Sequence, residues 1–109
     1  MNTCAMLERR GFDVTYLPVD RYGRVDPAEL AAAITDHTTL VSIMAANNEV
    51  GTLQPVAEVA AVVRAHRGVL LHVDAVQAAP WVELDVSTLG ADLVALSAHK
   101  AGGPKGSGA

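Results

Sequence analysis

The sequence predicts an α/β fold, a mostly parallel β-sheet with flanking helices. Short apolar runs alternate with helix-patterned segments along the chain, the order that yields parallel strands joined by crossovers. Those runs are continuous rather than alternating, which predicts strands covered on both faces. Half of the 109 residues are hydrophobic but only 4% are aromatic. The apolar content is mostly Ala, Val and Leu, which suits thin layers packed through small side chains.

The elements follow in order. Asp13 to Val19 (DVTYLPV) reads as a strand, rich in β-branched and aromatic residues. A polar turn at Arg21 to Arg24 leads to Asp26-Pro27, an N-cap followed by proline at the first helical position, opening a helix to about Ile34. Thr39 to Met44 is a buried strand. Ala45 to Pro55, with Asn47, Asn48 and Gly51, is a long loop leaving its carboxyl end. Val56, Val59, Ala60 and Val63 share one helical face, so Val56 to about His66 is a helix that Gly68 ends. Val69 to Val73 is the next buried strand. A helical turn at Val86 to Leu89 and a strand at Asp92 to Leu96 complete the pattern, before a glycine-rich tail from Gly102.

Composition removes several classes of function. The net charge is -4, without the basic surface that nucleic acid requires. No apolar run approaches the ~20 residues of a membrane span, and no signal peptide is visible. A lone cysteine, Cys4, excludes an internal disulfide framework and makes a reducing cytoplasm the expected compartment. The four histidines have no metal-ligand spacing, so no metal site is expected. The first strand begins well into the chain, and Ala109 falls where another strand is due. Both ends therefore read as cut.

Ligands of open α/β sheets sit beyond the carboxyl ends of the strands. Three polar clusters fall there: Asn47-Asn48-Glu49, Asp74 with Gln77, and Ser97 with His99-Lys100. Each has a plainer alternative. Asp74 is either a carboxylate aimed at a cationic group or a cap for the turn at Ala75 to Ala79. Lys100 is either a reactive amine or a solvated lysine. His99 is either an anion donor or a loop histidine. His72 reads as a satisfied core or interface group, and His37 and His66 as exposed. The tail fails the G-x-x-x-x-G-K-[ST] order and is read as a turn into another strand.

Taken together, NNEVGTLQP (Asn47 to Pro55), HVDAVQ (His72 to Gln77) and SAHKAGGPKGSGA (Ser97 to Ala109) resemble the class V aminotransferase superfamily, and within it cysteine desulfurases of the NifS/IscS type. The resemblance implies that residues 1–109 form part of the large domain of a fold-type I pyridoxal-phosphate transferase. It implies that Lys100 holds pyridoxal 5'-phosphate as a Schiff base and is catalytic. Asp74 would pair with the pyridine nitrogen, Gln77 with the ring oxygen, and Ser97 and His99 with the phosphate. Asn48 would lie near the ring oxygen and the substrate carboxylate.

The implied activity turns L-cysteine into alanine and an enzyme persulfide for sulfur transfer and iron–sulfur cluster assembly. A sulfur-acceptor protein and a homodimer come with it. The family's phosphate loop, ring-stacking histidine and nucleophilic cysteine have no match here, and Cys4 does not occupy the nucleophile's place. The 109 residues alone are therefore expected to be inactive. The alternatives are a selenocysteine lyase, an aminotransferase of the same class, or a non-catalytic remnant.

Overall fold

The computed structural model describes residues 3–109. Its helices are α1 (Thr3–Glu8), α2 (Pro27–Ala33), α3 (Val56–Arg64) and α4 (Val86–Leu89), and its strands are β1 (Leu40–Met44), β2 (Leu70–Asp74) and β3 (Leu93–Ala95). A 3-10 turn, Ala98–Ala101, follows β3. The sheet has the order β1-β2-β3 and both pairings are parallel. The predicted α/β class with a parallel sheet and flanking helices is what the chain adopts.

Local signals account for most boundaries. Asp26 accepts a hydrogen bond from the Ala28 N–H at 2.8 Å, and Pro27 occupies the first helical position of α2. Asp85 caps α4 in the same way through the Ser87 N–H, at 2.9 Å. The expected helix to His66 stops at Arg64, because the Ala65 and His66 N–H groups bond back to Val62 and Val63 in a tightened last turn. His66 is half-buried rather than exposed, and its Nδ1–H donates to the Val62 carbonyl at 3.0 Å. Strand β2 sits one residue later than expected: Val69 bonds back to His66, while the Asp74 carbonyl accepts from Ala45.

Helix α3 packs on β2. Val59, Ala60 and Val63 on one side meet Leu71 and Val73 on the other, all of them buried, with Leu30 of α2 completing the layer. Each such Val or Leu contributes on the order of 1.5–3 kcal/mol by leaving water. Asp92 closes the start of β3: its Oδ2 accepts from the Leu71 N–H at 2.7 Å, and its own N–H donates to the Leu71 carbonyl at 2.9 Å.

Two expectations are corrected. Asp13 to Val19 joins no ladder, and its pairing is an isolated antiparallel bridge from Val19 to Val25. Strand propensity expresses fit to a pleated surface beside a neighbour, and among the described residues the sheet is built from β1, β2 and β3 alone. Nor is the sheet covered on both faces. The face opposite α3 carries Leu40, Leu70 and Leu93, each about half exposed. The expected turn at Arg21 to Arg24 is present, organised by Asp20, whose Oδ1 accepts from the Tyr22 and Arg24 N–H groups.

Candidate functional site

Because the three strands are parallel and adjacent, their carboxyl ends share one edge. The pairing runs one step past the strands, with Ala45 N donating to Asp74 O (2.8 Å) and Ala75 N to Ala95 O (3.0 Å). The three clusters therefore leave the sheet side by side.

The loop after β1 is closed by its own residues. Asn47 Oδ1 accepts from the Glu49 and Val50 N–H groups at 2.8 and 3.0 Å. The Asn47 N–H donates to Thr52 and the Gly51 N–H to Asn47. Asn47 is thus spent on the turn, while Asn48 stands exposed at its tip with no protein hydrogen bond among the described residues. Gln54 ties the loop to the segment before α2. Its Nε2 donates to Gly23 O at 2.7 Å and its Oε1 accepts from Val25 N at 3.0 Å. The Thr52 hydroxyl donates to the Tyr22 carbonyl beside it.

Asp74 ends β2 in register with Met44 and Ala95. Its Oδ1 accepts from the Val76 N–H at 3.0 Å, so the capping role holds for one oxygen. The other oxygen accepts no hydrogen bond from any described residue. The following turn buries Ala75 and Ala78 and leaves Gln77 half-buried. Gln77 shares a depression of ≈ 460 Å³ with Asn48, Glu49 and Trp81. Two of the predicted residues, Asn48 and Gln77, are brought together there.

Beyond β3, Ser97 Oγ and His99 Nδ1 share a hydrogen bond of 2.8 Å. Lys100 lies one residue on, in the 3-10 turn, exposed and with no ion pair among the described residues. The tail folds back antiparallel, pairing Ser97 with Gly108. His72 shares a hydrogen bond with Ser42 at 2.8 Å, on the sheet's open face. Cys4 lies on α1. Among the described residues no three His, Cys, Asp or Glu side chains form a metal-binding group.

Sequence reasoning missed Gln54, Asp92 and the closure of the tail, all of which act across 10 or more residues. Only Gln54 had a signal, an amide beside the helix-opening Pro55.

The edge offers a carboxylate, two carboxamides, a hydroxyl, an imidazole and an amine. The chain matches the aminotransferase class-V family over residues 1–109 and belongs to it. Within that family it is similar to cysteine desulfurase IscS of Methanosarcina thermophila, 53% identical over 109 residues, which are 100% of this chain and 27% of that protein. Among solved structures it is similar to a NifS-like protein (TM-score 0.93, 47% identity, 97% of this chain and 29% of the other). It is also similar to SspA in complex with cysteine (TM-score 0.92, 39% identity, 97% and 30%). The chain thus spans about a quarter of the length of the relatives it matches. The family is one of pyridoxal-phosphate enzymes, and the donor set fits that group: the Asp74 oxygen without a partner suits a ring nitrogen, and the unpaired Lys100 amine suits an aldehyde.

Proposed function

We propose that this chain holds pyridoxal 5'-phosphate as part of the large domain of a cysteine desulfurase acting on L-cysteine. The observation that carries the reading is Asp74, which ends the middle strand with one carboxylate oxygen unused, beside a neighbouring strand that delivers Ser97, His99 and Lys100 to the same edge.

When bound, the cofactor supplies an electron sink for bonds broken at the substrate's α-carbon. Asp74 keeps its ring nitrogen protonated, since an opposite charge within ~4–6 Å favours the charged form. Lys100 Nζ would hold the aldehyde carbon and would serve as the general base that moves protons at the substrate carbon. Ser97 and His99 would hold the phosphate, and their mutual hydrogen bond of 2.8 Å keeps the two side chains together. Gln77 would pair with the ring oxygen, and Asn48 would lie near that oxygen and the substrate carboxylate.

Sulfur leaves L-cysteine by attack of a protein thiolate. An S–S bond forms and the Cβ–S bond breaks. Its electron pair goes to carbon, which takes up a proton, leaving alanine and a persulfide. That thiol is assigned to a cysteine other than Cys4, and the persulfide sulfur to an acceptor protein. A homodimer is the proposed assembly. Among the described residues no helix is long and apolar enough to cross a membrane.

Borohydride reduction and peptide mapping of the full protein that contains this chain test the reading. The label is expected on Lys100 and lost in Lys100→Ala; a label on Lys105 would refute the assignment. Alanine and sulfide are expected from L-cysteine under thiol reductant. Alanine from selenocysteine but none from cysteine would replace the desulfurase with a selenocysteine lyase.

A further inference from the structure

Lys100 sits on a loop with little to hold it. Every residue from His99 to Ala109 is exposed, and the 3-10 turn buries no side chain. Its place is fixed by backbone hydrogen bonds at the neck, where residues 96–98 and 107–109 run antiparallel. Leu96 N donates to Ala109 O (2.6 Å), Ala98 N to Ser107 O (3.0 Å) and Ala109 N to Leu96 O (3.3 Å). Inside the neck, Gly103 N donates to Ala98 O (2.8 Å) and Lys100 N to Ser97 O (3.3 Å).

The neck closes only around glycine. A Cβ at Gly108 would lie 2.7 Å from the Leu96 carbonyl oxygen, a backbone atom that is itself bonded across the neck. A Cβ at Gly103 would lie 2.9 Å from Ala98 Cβ and 3.0 Å from Ala98 O. Any side chain at position 108 pushes the two backbone segments apart. The same opening frees Ser97, whose Cα faces Gly108, and with it the hydrogen bond to His99.

We propose that Gly108, with Gly103 behind it, is a positioning residue: it clasps the loop that carries Ser97, His99 and Lys100, and so sets where the Lys100 amine meets the cofactor aldehyde. The inference rests on the reading of Lys100 given above. Misplacing a reacting group by about 1 Å costs ~10²-fold in rate, and a 2.7 Å contact forces a shift on that scale at the neck.

The test uses the full protein with pyridoxal 5'-phosphate and the variants Gly108→Ala, Ala109→Pro and Lys100→Ala. Ala109→Pro removes the N–H that donates to Leu96 and sets its ring Cδ in that proton's place, opening the same neck from the neighbouring position, and decides the matter if Gly108→Ala does not fold. Three quantities are read: the melting temperature, the rate at which borohydride fixes the cofactor to Lys100, and the pH midpoint of the cofactor's visible absorbance. Folded Gly108→Ala and Ala109→Pro are expected to fix cofactor ~10²-fold more slowly with a displaced midpoint. Normal fixation and an unmoved midpoint in the folded variants, with Lys100→Ala losing the label, overturn the clasp alone. A label that survives in Lys100→Ala overturns the reading of Lys100 beneath it.

Discussion

The two faces of β2 behave as if they belonged to different proteins. Leu71 and Val73 point under α3 and are 1% and 0% exposed, whereas Leu70, their neighbour in sequence, is 47% exposed. His72 and Asp74 share the face of Leu70. One face of a five-residue strand therefore holds the fold together, and the other carries His72 and Asp74. Apolar residues at both sets of positions announce two surfaces to be covered. Which one α3 covers is decided by packing partners far away in sequence.

That contrast gives the largest expected effect. Leu71→Ala should cost about 2–5 kcal/mol, because it empties a packed site, while Leu70→Ala should cost less than about 1 kcal/mol. Denaturant unfolding of the two variants makes the comparison, and equal losses would abolish the distinction between the faces. On the open face, Asp74→Asn should lower turnover of the full protein by ~10²-fold or more, about 2.8 kcal/mol at ~1.4 kcal/mol per factor of ten. Its melting temperature should hardly move, since an asparagine oxygen still accepts from the Val76 N–H. Near-normal turnover would leave Asp74 as a turn cap only.

A smaller effect is due at the sheet's second seam. Asp92→Ala deprives the buried Leu71 N–H of its acceptor, a loss of about 1–3 kcal/mol, while hydrogen exchange at Leu71 should quicken in the same variant. Unchanged exchange would show another acceptor in its place. The smallest effect lies in α4. The Ser87 hydroxyl, and after it the Ser87 N–H, hold the Asp85 carboxyl below its ordinary 3.8. A lowered carboxyl stabilises the folded state above that ordinary value and loses its contribution as pH falls through the lowered one. The Ser87 amide should therefore stay protected through mild acid and lose protection only below it, as NMR against pH would record. Loss of protection already above 3.8 would contradict the cap.

What could be read from the sequence follows from the range of each signal. The Asp26-Pro27 start of α2, the helical face of α3 and the apolar runs of β1, β2 and β3 are local, and each was placed within two residues. Asp13 to Val19 had strand composition, but composition does not say whether a partner lies alongside. That the three polar clusters share one edge was legible, because parallel strands must all end there. The division of labour within them was not. That Asn47 closes its own loop while Asn48 stands free, and that Asp74 spends one oxygen and keeps the other, depends on backbone geometry that residue types do not encode. Gln54, Asp92 and Gly108 act on residues 11 to 31 positions away, beyond any pattern of spacing.

Asp92 has a consequence for the whole edge. Its carboxylate takes the place of a peptide carbonyl at the first rung between β2 and β3, and so indexes one strand against the other, His72 beside Leu93 and Asp74 beside Ala95. Side chains alternate between the faces of a strand, so a slip by one rung reverses every one of them. With the indexing pin displaced, Leu93 would turn toward α3, Val94 toward the open face, and the chain would leave the sheet one step early or late. A single acidic side chain, well before Ser97 and touching no ligand, thereby meters how far along the edge the lysine-bearing loop begins.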